Sequence, residues 1–233
     1  MPLIYTDLSV TTQYQSSWDT YIRDSHATTN YSAQTTVSCG RMVSGKASFN
    51  NRVILAFDLS DLAERKINTA TLTMKTRPSS TTTAGTENVT INLLDTSNGE
   101  PVFDEVTWNN LSSSTAWQSA GGDIVSYTGS ASNIIAWPKA NNTSFTSADI
   151  GDVIKNKAGS MCYLILKTPE SQNDDLHVAT SHNEGSASII ADTPILNINY
   201  ASDHRLVFKR REMTKYMNKA VGIKGKSSVP SLG

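Results

Sequence analysis

Residues able to carry acid–base or metal chemistry are few in this chain, and their spacing is unfavourable. The four histidines, His26, His177, His182 and His204, fall at no ligand spacing, and neither cysteine, Cys39 or Cys162, lies beside one, so no metal site is expected. Two adjacent carboxylate pairs occur, Asp104 with Glu105 and Asp174 with Asp175. Glycoside hydrolysis needs carboxyl groups on opposite sides of a sugar bond, whereas neighbours in a strand point to opposite faces, so both pairs read as loop charges. Nothing resembles a nucleophile with its base, and the chain is expected to be non-enzymatic and without a cofactor. Calcium is the alternative, because the oxygen-rich stretch 172–175 offers hard ligands, although no EF-hand spacing accompanies it. Sugar binding would instead use aromatic faces, for which Tyr31, Trp117, Tyr127 and Trp137 qualify by type. Trp117 and Trp137 are the candidate glycan-binding residues, Trp137 because it precedes Pro138 at a strand end, while Trp18 and Trp108 sit inside strand motifs and read as core.

The elements that would position such residues are strands. Apolar positions recur regularly in 89–93 and 163–167, and short strand-like segments recur near 35–43, 52–57, 69–75, 89–94, 106–108, 124–127, 134–137, 161–167, 176–179 and 195–200. Clusters of Gly, Asn, Ser and Pro separate them, and no helical pattern lies between most pairs, which indicates an all-β sandwich or barrel. Residues 3–10 are expected to form an N-terminal strand or arm, and the polar stretch 11–17 a link to the next strand. In 52–57 both faces are apolar, Val53, Leu55 and Phe57 alternating with Ile54 and Ala56, so that strand must be covered on both sides. Asp61 and Glu64 then have the spacing of a capping box, and Ser147 is placed to cap a helix over 148–157 whose apolar stripe is Ile150, Val153 and Ile154.

Several of these pieces together resemble the DNRLRE domain, a jelly-roll family related to carbohydrate-binding modules. They are residues 19–23, Asn30 with Tyr31, 52–62, 67–72, 106–110, 147–157 and 193–200, in the family's order, over roughly residues 16–200. Phe103 stands where the family usually has a tryptophan. The resemblance implies a jelly-roll β-sandwich with one or two short helices and no catalytic dyad.

With 233 residues, 38% of them hydrophobic, the chain can bury one sizeable core, expected over residues 1–203. Residues 204–233 differ in character. They hold eight of the twenty Lys and Arg and a single acidic residue, Glu212, so this tail is +7 and the rest of the chain −8, together the formal −1. Lys209, Arg210, Arg211, Lys215 and Lys219 fall on an expected amphipathic helix and read as an assembly arm in preference to a nucleic-acid contact, since no nucleic-acid fold accompanies them. No signal-peptide pattern or membrane span is visible, so synthesis in a cytoplasm, with Cys39 and Cys162 as reduced buried thiols, is expected. Because the implied family is usually exported or fused to enzymes, a stand-alone copy with a basic arm suggests a structural protein of a tailed-phage virion. Its partners would then be capsid, neck or tail proteins or a second copy of the chain. The alternative is a module that recognises cell-surface polysaccharide.

Overall fold

A computed structural model describes residues 9–44, 47–77, 86–125, 133–170, 177–180 and 192–201. The strands are β1 Ser9–Gln15, β2 Trp18–Arg23, β3 Thr36–Ser44, β4 Ala47–Asp58, β5 Ile67–Lys75, β6 Thr86–Leu93, β7 Asn110–Ser112, β8 Thr115–Ala116, β9 Ile134–Pro138, β10 Ser144–Thr146, β11 Met161–Lys167, β12 His177–Thr180 and β13 Ile195–Ala201. One sheet has the order β1-β13-β5-β10, and a larger one the order β12-β3-β4-β11-β6-β9, with β2 also on β4. Strands β7 and β8 form a separate hairpin. The molecule is an all-β sandwich, as the strand pattern and the jelly-roll resemblance predict.

Strand β4 shows why. Val53, Leu55 and Phe57 point into the core between the sheets, and Ile54 and Ala56 point the other way, yet all five have no solvent exposure. The inner set meets Leu72 and Met74 of β5 and Leu196 and Ile198 of β13. The outer set is roofed by the excursion 95–125, which contributes Val106, Leu111 and Trp117. Each large aliphatic side chain removed from water contributes roughly 1.5–3 kcal/mol, so both coverings matter to stability. Cys39 and Cys162 are buried and unpaired. Burial pushes the Cys162 thiol up to about 12 and Cys39 higher still, which leaves both protonated and inert at neutral pH.

Four local expectations need correction. The polar stretch 11–17 is largely strand β1, paired with β13 from Ser9 opposite Ala201 to Gln15 opposite Ile195; its side chains can be polar because it is an edge strand with an exposed outer face. The capping box does not form. Instead Ser60–Leu62 is one 3₁₀ turn, Asp58 Oδ1 accepts the Ser60 amide at 3.0 Å, and Glu64 leaves the helical region at φ 63°. Burial of Leu59 and Leu62 turns the chain inward before a helix can propagate.

The helix over 148–157 is shorter than expected: α1 is Gly151–Ile154, followed by a 3₁₀ turn at Lys155–Lys157. Ile150, Val153 and Ile154 are buried as their spacing predicts. Ser147, however, spends its hydroxyl oxygen on the Leu72 amide at 3.0 Å, and it is Asp149 Oδ1 that accepts the Gly151 and Ala70 amides at 2.8 and 2.9 Å. Finally, residues 106–108 are not a strand, and Ile124 makes only an isolated bridge to Leu94, because the 95–125 excursion lies across the sheet as a roof. Residues 3–8, 126–127 and 176 of the expected strands lie outside the described residues.

Candidate functional site

The irregularity that builds a site lies on one edge of β4. Strand β2 pairs with it from Trp18 opposite Ala56 to Arg23 opposite Asn51, and β3 from Gly40 opposite Asn51 to Ser44 opposite Ala47. Asn51 therefore sits where one neighbour hands over to the next, and Gly40, at φ 123°, supplies the bend by which β3 enters. Such a junction interrupts the ladder, and side chains must satisfy what backbone no longer does.

On the core side of the junction, the Asn51 carboxamide is buried and its Oδ1 accepts Arg23 Nε at 2.9 Å. The Arg23 guanidinium lies over three rings, with Phe49, Tyr31 and Tyr21 centroids at 4.4, 5.4 and 5.6 Å. Tyr21 and Tyr31 stack on each other at 4.4 Å. Next to them Asp24 accepts the Asn50 amide at 2.9 Å and its Nδ2 at 2.7 Å, which holds the β2 exit loop against β4.

On the other face, Arg52 donates from Nε and Nη2 to the Glu170 carboxylate at 2.6 and 2.8 Å, and from Nη1 to the Gly121 carbonyl at 2.7 Å. Its guanidinium lies 4.7 Å from the Trp108 ring centroid. Gly121 is required here. Its φ is +94°, and a Cβ would come within 2.7 Å of Arg52 Nη1 and 2.8 Å of Trp108 Cζ2. Arg41 donates from Nη1 to the Glu170 carbonyl at 2.9 Å, while Glu170 itself holds a φ of 60°, unusual for a residue with a side chain. Three strands and the roof thus converge on two adjoining clusters of arginine and aromatic rings.

The hydrogen bonding at the junction is unfinished. Arg41 Nε, Asn50 Oδ1, Asn51 Nδ2 and Thr168 Oγ1 are buried without a partner among the described residues. Buried polar atoms are normally paired, so four in one neighbourhood mark a place where water or a polar ligand completes the network. Arginine forks, aromatic faces and spare donors and acceptors suit hydroxyl and carboxylate groups on sugar rings. No group of three or more His, Cys, Asp or Glu that could hold a metal occurs among the described residues.

The residues singled out from sequence fare differently. Trp137, expected at an exposed strand end, has no solvent exposure and packs in the main core with its ring 5.1 Å from Phe145. Trp117 is 5% exposed in the roof cluster, its Nε1 donating to the Thr107 carbonyl at 2.9 Å. Both are corrected to core residues: one is sealed by the facing sheet, the other by the roof, and neither offers a ring to a sugar. Tyr31 is brought into the junction. Trp108, read as core, is only partly buried and lies at the site, while Trp18 is partly buried at the other end of the roof, 5.5 Å from Phe103 and 5.7 Å from Tyr163. The Tyr163 hydroxyl donates to Glu100 at 2.9 Å, and burial followed by that bond raises its pKa well above the ordinary tyrosine range.

Of the paired carboxylates, Glu105 accepts the Ser113 amide at 2.8 Å, a loop role. Asp174, Asp175, the calcium stretch 172–175, Tyr127, His182, His204 and the arm residues Lys209, Arg210, Arg211, Lys215 and Lys219 lie outside the described residues. Sequence reasoning missed Arg23, Arg41 and Arg52. The available signal was arginine in three strands of an otherwise charge-poor body.

Residues 10–123 match the sequence model of carbohydrate-binding module family 96. Over that stretch the chain is similar to a carbohydrate-binding module. The match takes in Arg23, Tyr31, Arg41, Arg52, Trp108 and Gly121, and stops short of Glu170 and Thr168. It agrees with the module likeness read from the sequence motifs, without carrying the DNRLRE name or any sign of a phage particle. No curated protein matches the chain.

Proposed function

We propose that the chain is a non-catalytic carbohydrate-binding module that receives a polysaccharide at the junction of β2, β3 and β4. The observation that carries this reading is the group of four orphaned buried polar atoms among Arg23, Arg41, Arg52, Tyr31 and Trp108, inside or beside the stretch matched to a carbohydrate-binding module. The partly buried rings are the ones that can meet a sugar, Trp108 on the roof side and Tyr31 on the core side, and Arg41 and Asn51 each keep one unpartnered donor beside them. Arg52 is already engaged by Glu170, so its part is to hold Trp108 in place.

The test is a glycan array followed by calorimetry on the binders found. Arg41→Met keeps the aliphatic stem and removes the unpartnered donor. It also removes the bond from Nη1 to the Glu170 carbonyl, so stability should fall by about 1 kcal/mol while affinity falls at least about tenfold, the size of one charge-assisted hydrogen bond. Undiminished binding by Arg41→Met and Trp108→Ala would place the sugar elsewhere, and absence of binding to any neutral or acidic glycan would remove the reading. Cell-surface polysaccharide is the expected natural ligand. A place on a virion, anchored through the basic arm, finds no support among the described residues. No described helix is long and apolar enough to cross a membrane.

A further inference from the structure

We propose that the outer edge of β1, which pairs with no strand among the described residues, joins a second copy of this chain, β1 against β1 about a twofold axis at Thr12, to make one continuous sheet. Edge strands are usually blunted by shortness, proline, charge or a bulge. Among the other edges of the two large sheets, β10 has three residues, β12 has four, and β9 ends on Pro138. Strand β1 has seven residues, Ser-Val-Thr-Thr-Gln-Tyr-Gln, with no charge, proline or glycine and an unbroken register against β13.

The hydrogen-bond parity of that edge is fixed. Ser16 N–H donates to the Pro194 carbonyl at 3.0 Å, so in an antiparallel ladder Tyr14, Thr12 and Val10 turn their backbone groups toward β13. Thr11 and Gln13 then turn theirs to the outer edge. Ser17, of the same parity, is turned away from β13, its amide donating to Ala56 at 2.7 Å. A twofold at Thr12 sets Thr11 opposite Gln13 of the second copy, which is the pairing in which both residues exchange N–H···O bonds.

Side chains favour the same register on both faces. On the solvent face a ladder crosses the sheet: Gln13 Nε2 donates to Asn197 Oδ1 at 3.0 Å, Asn197 Nδ2 to Thr73 Oγ1 at 3.4 Å, and Thr73 meets Thr146 at 3.0 Å. It ends at Gln13, whose Oε1 is positioned to accept the Thr11 hydroxyl of the second copy. On the core side, Val10 is 40% exposed, one of three large apolar residues so exposed among the described residues. The twofold places it against Tyr14 of the other copy, an apolar pair that an isolated chain leaves in water. The paired form carries two junction sites, and avidity for a polysaccharide follows; that consequence rests on the sugar reading, whereas the pairing does not.

Sedimentation equilibrium of the full chain across a roughly hundredfold concentration range should show a monomer–dimer equilibrium. Gln13→Pro removes an outward N–H and no backbone bond to β13, and Gln13→Lys sets like charges across the seam; each gives up the exposed side-chain bond to Asn197, and each should weaken the dimer at least about tenfold while the melting temperature of the monomer falls by no more than a few degrees. A chain that stays monomeric throughout, or a dimer that survives both variants, overturns the proposal. Loss of pairing in Gln13→Lys together with unchanged monovalent sugar affinity would separate this inference from the binding reading.

Discussion

The solvent face of the four-stranded sheet and the junction on the seven-stranded sheet are both rich in polar side chains, and they resolve them in opposite ways. On the first, Gln13, Asn197, Thr73 and Thr146 satisfy one another in a row, and Asn68 and Thr11 both bond to Asn199, at 3.1 Å each. On the second, a bidentate Arg52–Glu170 pair coexists with unpartnered atoms on Arg41, Asn50, Asn51 and Thr168. A polar surface that closes its own network has little left to offer a ligand, whereas an incomplete network in a half-buried setting retains donors and acceptors that are already desolvated. Aromatic content alone would have pointed to Trp137, which the core consumes.

That contrast can be broken at several points. Glu170→Ala should have the largest effect: it leaves the Arg52 guanidinium, only 13% exposed, without its carboxylate, and breaking such a pair costs about 3 kcal/mol by chemical denaturation, with sugar binding reduced as Trp108 loses its support. If stability is unchanged, Arg52 is not the keystone of the junction. Gly121→Ala follows, at about 1–3 kcal/mol, since the new methyl group meets Arg52 and Trp108 and the φ of +94° disfavours any side chain. Its signature is a shift in tryptophan fluorescence together with lost binding. Asn197→Ala on the opposite face should cost only about 0.5–1 kcal/mol and leave sugar affinity untouched. A loss of binding there would move the site to the four-stranded sheet.

At neutral pH the smallest effect concerns the thiols. Cys162 is raised from 9.0 to about 12 by burial, so its folded form holds a proton that the unfolded chain releases. Stability from this group is complete below pH 9 and is lost as pH rises toward 12, and a native thiol reagent should label neither Cys39 nor Cys162 at pH 7. Labelling without unfolding would mean that the core opens locally.

Much of the fold was legible because period-two alternation maps directly onto burial. The doubly apolar run from Val53 to Phe57 is covered on both faces as its pattern requires, and the stripe of Ile150, Val153 and Ile154 is buried even though the helix beneath it is short. Caps were less legible. Ser147 and Asp149 both have suitable side chains, and the nearby backbone of β5, at Ala70 and Leu72, decides which oxygen also takes the Gly151 amide, while the N-cap position itself falls on Ile150 with no side-chain bond. The site was the least legible part. Arg23, Arg41 and Arg52 are separated along the chain, and nothing local signals that one partner of β4 stops at Asn51 where another begins.

The sequence by itself determined an all-β sandwich, its central strand and its buried thiols, since these follow from side-chain type and short-range periodicity. Tertiary structure alone decided which tryptophans are core, which side-chain oxygen takes the Gly151 amide, and where arginines and rings gather. Those outcomes depend on contacts between residues far apart in the chain, such as Arg52 with Gly121 and Glu170, whose energies are set by the register of the sheets and by what the roof covers.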